Sequence, residues 1–313
     1  MTAGHKAARH RLDAHAHLMT PERTASGIRW IRRVVPDYAD LPEDVRVTEL
    51  LGEFQAERVG ALWNLFYPLR PGQSEEINRW QRALADAYPP GGAAPGEQAP
   101  AALPVIIPFA SVHAADDDPG AVVERAFGAL DLAGLKLHPY VQRLDPLDPR
   151  LARALAATEE SGRPLVVHTG FSEFYGERSL VEAVFGLARR YPGLKVVAAH
   201  MLYPDLDLSD WPELLERYEN LYLDATNVLS LTAPGTPPGD DMQALLDRWS
   251  HRIVFGSDHP MGMAYPISRL YRLPGSIAPH GEALEDISWR TAARLVEPRR
   301  LPGTMALDAV IAE

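Results

Sequence analysis

A single-domain parallel (β/α)8 barrel of the TIM type is the fold this sequence predicts, and three observations predict it. Apolar runs of strand length recur eight times between helical patterns, from residue 12 to about residue 296. Strands that alternate with helices pair in parallel, because a parallel pair needs a crossover and the helix supplies it. No glycine-rich phosphate fingerprint follows the first run, which disfavours the rival open, doubly wound sheet. At 313 residues and 46% hydrophobic content, the chain can build one such barrel without a second domain.

The first strand spans 12–18 and carries His15 and His17 at i and i+2. Alternate side chains of a strand share a face, so the two imidazoles point the same way, with Asp13 in line behind them. Residues 19–42 are polar and punctuated by proline. They are too long for a simple connection and are predicted to fold over the barrel mouth. A helical period covers 44–58, and Val-Gly-Ala-Leu-Trp-Asn-Leu-Phe-Tyr at 59–67 is the second strand. Ser74-Glu75-Glu76 opens a helix to about 88, followed by a Pro/Gly/Ala-rich stretch at 89–102 that reads as a surface insertion on the face opposite the mouth.

From there the alternation is regular. Strands are predicted at 103–112, 134–140, 164–169, 194–201, 221–226 and 252–258. The helices between and after them fall at 119–130, 148–160, 178–191, 211–218, 240–250 and 282–296. Pro near the start of 119–130 and Ser161-Gly162 after 160 are ordinary helix punctuation.

Composition excludes several function classes. Lys+Arg 31 against Asp+Glu 42 leaves a net charge of −11, which argues against a nucleic-acid or anionic-membrane surface. There is no cysteine, so thiolate metal sites, disulfides and a cysteine nucleophile are out. The start of the chain lacks an apolar signal-like core and no run reaches membrane-spanning length, so a cytoplasmic protein is expected. The expected partner is a small-molecule substrate, with a homo-oligomer left open.

The polar residues cluster at predicted strand ends: His15 and His17, Lys136 and His138, His168, His200, and Asp258. In a barrel those ends converge on one mouth, where active sites are built. Imidazole is the commonest metal ligand, and a His-x-His strand can grip one ion from two sides. A metal centre is therefore favoured over a purely structural role.

The same pieces resemble a known family. Asp-Ala-His15-Ala-His17, Gly-Leu-Lys136-Leu-His138-Pro, Val-Val-His168-Thr-Gly, Ala-Ala-His200-Met, Phe-Gly-Ser-Asp258-His-Pro and Thr-Ala-Ala-Arg294-Leu stand in the order found in the amidohydrolase superfamily. The likeness is to the amidohydrolase-related family 2 group that includes aminocarboxymuconate semialdehyde decarboxylase. The resemblance implies His15, His17 and His168 as metal ligands, with Asp258 as a further ligand or the proton shuttle. It implies His200 as the group that polarises substrate or assists the water. Such a donor set suits one divalent ion, Zn²⁺ first, and hydrolysis of a C–N or C–O bond by an activated water. Decarboxylases and hydratases use nearly the same ligands in this group and are the alternative.

Other residues receive weaker readings. A carboxylated Lys136 bridges two ions in binuclear relatives, whereas an ordinary lysine repels a second ion; one ion with an uncarboxylated, catalytic Lys136 is expected. His138 shares its inward parity. His259 reads as supporting or loop, and His113 as lining the mouth or exposed. His5, His10, His251 and His280 read as solvated. Arg70, Tyr140, Arg143 and Arg178 follow strand ends as candidates for binding a substrate carboxylate. The six tryptophans read as packing residues. A non-catalytic metal-binding barrel is less favoured because both Asp258 and His200 are present. A metal-free sugar-processing barrel would need carboxylates paired at strand tips, and only Glu173, Asp224 and Asp258 are near such places.

Overall fold

The computed structural model describes residues 10–89, 103–278 and 281–305. Apart from Pro89, the insertion read at 89–102 lies outside them, as do His5 and His280. The strands are short: β1 (Leu12–Ala16), β2 (Ala61–Asn64), β3 (Val105–Pro108), β4 (Ala110–Ser111), β5 (Leu135–Leu137), β6 (Leu165–His168), β7 (Val196–Ala199), β8 (Leu221–Asp224) and β9 (Ile253–Val254). Every pair is parallel, in the orders β1-β2-β3 and β4-β5-β6-β7-β8-β9.

Two junctions join these sheets into a (β/α)8 barrel. β3 and β4 are halves of the single run expected at 103–112, parted only at Phe109. Phe109 N donates to Asn64 O on one side, and Ala133 N donates to Pro108 O on the other. At the second junction, residues after β9 run beside β1. Ala14 N donates to Phe255 O, Asp258 N to His15 O and His17 N to His259 O, at 3.0, 2.7 and 2.8 Å.

Strand alternation sorts the apolar residues into two bodies. Leu165 and Val167 of β6, Val196 and Ala198 of β7, and Leu221 and Leu223 of β8 face outward into the layer shared with the helices. Val166, Val197, Ala199 and Val254 face inward with Leu12, Ala14, Trp63 and Phe109, so the barrel interior is a packed core. Trp289 joins that inner cluster from the closing helical segment 281–295, whose middle turn, Asp286–Arg290, is π-helical. His10, expected to be solvated, packs edge-on against Trp289 with ring centres 5.1 Å apart.

Residues 19–42 hold more order than the sequence reading assigned. Pro21–Val34 is a helix with proline in its first turn, followed by a 3₁₀ turn at Pro36–Tyr38. It buries only a narrow stripe, Thr24, Ile28 and Ile31, at i, i+4 and i+7. Four arginines share the remaining positions with residues such as Glu22, Ser26 and Trp30, and Gly27 interrupts its centre. That composition hides the period.

Closure at β1 leaves no room for side-chain atoms. A Cβ on Gly256 would stand 2.3 Å from His15 N, 2.6 Å from His15 Cβ and 2.7 Å from Asp13 Oδ1. Gly256→Ala is therefore expected to cost about 2 kcal/mol or more in urea unfolding, since backbone atoms cannot yield as a side chain can. Gly52, inside helix Val47–Ala56 with nothing within 4 Å, is the control. Gly52→Ala should gain roughly 0.5–1 kcal/mol. Equal effects would show that the junction is not tight.

Candidate metal centre

β1 does not run straight into the site. Its register against β2 slips between Asp13 and Ala16, a bulge that re-aims the strand. Asp13 turns away from the mouth and fastens the strand from behind. It accepts from His15 N (2.9 Å), from Ser257 N (3.1 Å) and from the Tyr271 hydroxyl. His15 and His17 then project into the barrel mouth, both almost wholly buried.

Each imidazole has one nitrogen already tied to a protein acceptor. His15 Nδ1 lies 2.6 Å from Asp224 Oδ2, and His17 Nδ1 lies 2.8 Å from the Leu65 carbonyl. A carbonyl only accepts, so the His17 proton sits on Nδ1, and the short contact to Asp224 places the His15 proton on Nδ1 likewise. Both Nε2 lone pairs therefore face the mouth. There they meet Asp258 Oδ1, at 2.9 Å from His17 Nε2 and 3.5 Å from His15 Nε2. Lone pairs aimed at a carboxylate oxygen at this range require a proton or a cation between them. The ligand atoms of His15, His17 and Asp258 lie within 4.8 Å of one another, a donor set that fits a divalent ion.

Asp258 is held by more than its histidines. It sits in the left-handed backbone region at φ 59°, which aspartate tolerates better than most residues, and Asn227 Nδ2 donates to its Oδ2 at 2.8 Å. Burial raises its carboxyl. Attraction to a proton held between it and His17, together with the hydrogen bond from Asn227, outweighs that and leaves it below its ordinary value.

His200 opens three consecutive left-handed residues, His200, Met201 and Leu202, at φ 62°, 53° and 54°. Such strain clusters at functional sites. It aims His200 Nδ1 at the Thr226 carbonyl (2.9 Å), which leaves Nε2 as an acceptor 3.2 Å from His168 Nδ1. His168 must then donate through Nδ1, so its Nε2 also carries a free lone pair. That atom is buried without a protein partner, as is His138 Nδ1. The His138 and His168 rings stack at 3.7 Å.

Lys136 is fully buried, with Nζ 3.4 Å from His15 Nε2. Burial lowers it to about 8 while Asp258 and Asp224 pull the other way, so it keeps its proton at neutral pH. Burial likewise pushes Asp224 up to about 7 against hydrogen bonds from Thr226.

Of the site residues read from sequence, His15, His17 and Asp258 come together. His168, His200 and Lys136 border that cluster, with His168 outside the three-ligand group. Above it opens a cavity of about 630 Å³, into which His17, His138, His168, His200 and Asp258 all reach. Helix Pro21–Val34 forms one of its walls.

Other expectations are corrected. His113 is buried rather than at the mouth; its Nε2 lies 3.0 Å from the Gln142 carbonyl and its Nδ1 accepts from Ala115 N. His259 is fully buried on the far side, 3.4 Å from Glu53 and edge-on to Phe54. Arg70, Arg143 and Arg178 are exposed, and none of them, nor Tyr140, lines the cavity. Trp30, read as a packing residue, does line it. Glu173 is exposed, and Asp224 with Asp258 flank one imidazole instead of facing a sugar. Sequence reasoning missed two residues: Asp224 as the brace of His15, and Arg23 in the cavity wall.

Comparison with known proteins follows this geometry. A family model described as Amidohydrolase matches residues 12–297. No curated protein matches the chain. A TIM-barrel protein of Bordetella bronchiseptica is 19% identical over 91% of this chain and 98% of its own, with a TM-score of 0.66. The 5-carboxyvanillate decarboxylase of Sphingomonas paucimobilis is 17% identical over 94% and 99%, at 0.58. A putative 2-pyrone-4,6-dicarboxylic acid hydrolase of Pseudomonas putida is 17% identical over 91% and 97%, at 0.59. At these identities the solved structures establish the shared fold.

Two outcomes follow from the site. Asp224→Asn preserves shape but loosens the His15 tautomer, so ion affinity measured by competitive chelation should fall about 10–100-fold with the fold intact. His15→Ala with His17→Ala should abolish binding, and full occupancy in that double variant would refute the assignment.

The second concerns acid. Burial holds His15, His138 and His168 well below their ordinary value, with His200 at about 4 and His259 at about 3. A histidine with a lowered folded pKa costs nothing well above its unfolded value of about 6.5 and destabilises progressively below it. Asp13 (raised to about 6), Glu53 and Asp224 (both to about 7) act oppositely, because burial favours their protonated forms and acidification relieves that. Five histidines outweigh three carboxyls, so the Tm of metal-free protein should fall between pH 6.5 and 5. A flat or rising Tm across that window would contradict the buried neutral histidines.

Proposed function

The chain belongs to the amidohydrolase family, and on that premise we propose that it is a hydrolase of a C–N or C–O bond that depends on one divalent metal ion, Zn²⁺. The observation that carries this reading is the convergence of the His15 and His17 Nε2 atoms and an Asp258 carboxylate oxygen on a single point. His15, His17 and Asp258 would hold the ion, and the free Nε2 of His168 is a further donor beside them. A bound ion of this kind supplies Lewis acidity, polarising a carbonyl and making water acidic enough to react near neutral pH.

The chain's own residues supply the rest. Asp258, kept ionised and oriented by Asn227, accepts the proton of the attacking water and returns it to the departing nitrogen or oxygen. Lys136 brings a positive charge beside the ligands and stabilises negative charge developing on the substrate oxygen. His200 has spent its proton on Thr226 O, so its Nε2 positions His168. A lysine that keeps its ammonium repels a second ion, which supports a mononuclear centre. The cavity has the volume of a small-molecule site, and its largely apolar walls exclude water from the chemistry.

A second reading, decarboxylation of an unsaturated carboxylic acid, draws support from the 5-carboxyvanillate decarboxylase among the fold neighbours. The two are separated by one experiment. Metal-depleted protein reloaded with Zn²⁺ is assayed on lactones, amides and unsaturated carboxylic acids in H₂¹⁸O. Hydrolysis should appear only after reloading, with one solvent oxygen in the acid product. Lys136→Ala should retain one ion per chain and lose about 10²-fold or more in kcat. Metal-dependent release of CO₂ without hydrolysis would move the assignment to the second reading.

A further inference from the structure

Two arginines in the cavity wall are not used by the chemistry proposed above: Arg33, which is exposed at the rim, and Arg23, which is partly buried. Arg23 projects from helix Pro21–Val34 into the wall, and its guanidinium lies 5.3 Å from the Phe66 ring centre and 5.8 Å from that of Tyr67. The Tyr67 ring in turn lies 5.9 Å from His17 and 4.7 Å from His138. A single ring thus separates this cation from the metal centre.

Arg23 has little to bind within the protein. Its side chain makes one long hydrogen bond, Nη2 to Tyr67 O at 3.5 Å, and among the described residues no carboxylate pairs with it. Several arginines elsewhere do pair: Arg125 with Glu75, Arg153 with Glu124 and Arg299 with Asp131. Asp258 is the one acidic residue among those described that line the cavity. A partly buried guanidinium with donors unspent is costly unless something else accepts from them.

Toward the rim, much of the wall is apolar. Of the four large hydrophobic residues exposed on the described surface, Val34 (40%), Leu69 (41%) and Phe174 (51%) stand on this cavity's rim. Trp30 packs edge-on to Phe174 at 5.3 Å, extending the same surface inward. Apolar surface gathered at a mouth marks a place that something apolar covers.

Taking the cavity as the substrate site, as the proposed function does, we propose that the substrate is a largely apolar monoanion and that Arg23 receives its anionic group. The planar guanidinium fork matches a carboxylate or sulfonate, and the Phe66 and Tyr67 rings hold its plane in place. The apolar body then covers Trp30, Val34 and Phe174, leaving the reacting carbonyl toward Asp258. A cationic substrate would be repelled by Arg23, and a heavily hydroxylated one would leave its polar groups against the rim.

The test uses two dyes that share one skeleton. 1-Anilinonaphthalene-8-sulfonate carries the anion, and N-phenyl-1-naphthylamine lacks it. Both are titrated against full-length wild type, Arg23→Met, which keeps the apolar stem, and Arg23→Lys. The sulfonate should bind Arg23→Met about tenfold or more weakly, as loss of a charge-assisted contact predicts, and Arg23→Lys to an intermediate degree. The neutral dye should bind all three alike. Unchanged sulfonate affinity, or an equal fall for both dyes, overturns the proposal. Should Arg23→Met fail to fold, Arg23→Gln decides: it must weaken the sulfonate and spare the neutral dye, while Arg33→Gln leaves both unchanged. Because neither metal nor turnover enters the readout, a failure of the hydrolase reading registers separately in the metal and ¹⁸O measurements.

Discussion

Five imidazoles meet at the barrel mouth, and a neutral imidazole has only one proton to give. That constraint organises the centre. Backbone carbonyls take the protons of His17 and His200, a buried carboxylate takes that of His15, and His200 itself takes that of His168. With those donors committed inside the protein, the remaining lone pairs face a common space. The protein thus sets the protonation pattern before any ligand arrives, and at His17 and His200 it does so with backbone carbonyls that cannot donate back.

The barrel explains how such unlike residues come to share one point. Inward-facing valines and alanines fill the interior to its floor, with Trp289 closing it from below. Side chains at the strand ends have nowhere to go but up. At that level Lys136 and the histidines are removed from water, and burial dictates their charge states: imidazoles neutral, the lysine lowered yet still protonated. Only Asp258 goes against the trend. It remains ionised because its oxygens are met from several sides.

Much of this was legible in the sequence, for a physical reason. A polar residue that ends an otherwise apolar strand has no structural excuse, so His15, His168 and Asp258 announced themselves by contrast. Strand parity also placed Lys136 inward, where it lies. What parity could not foresee was the β1 bulge, which turns Asp13 out to Tyr271 and Ser257 while keeping both histidines in. Helix Pro21–Val34 escaped because its apolar stripe is three residues wide and its remaining positions look like loop. Arg23 was hidden with it. Position after a strand end points to Arg70, Arg143 and Arg178 as anion binders, whereas the arginines of the cavity wall, Arg23 and Arg33, come from the covering helix. Asp224 was visible as a strand-tip carboxylate, but its partner lies 209 positions away in sequence, beyond the reach of local pattern.

The junction between β1 and the residues after β9 also governs when the site can exist during synthesis. Asp13 grips Ser257 across 244 positions, and the same seam sets Asp258 beside His15 and His17. Loop closure over such a span comes late, after nearer contacts have formed. A nascent chain that has emerged as far as β8 already holds both β1 histidines, yet it has neither the third ligand nor the strand that fixes their direction. Until Gly256 docks against His15, those imidazoles are polar groups on an open sheet edge. The metal centre proposed for this protein is consequently an attribute of the finished chain: partly translated intermediates would carry its histidines without its geometry.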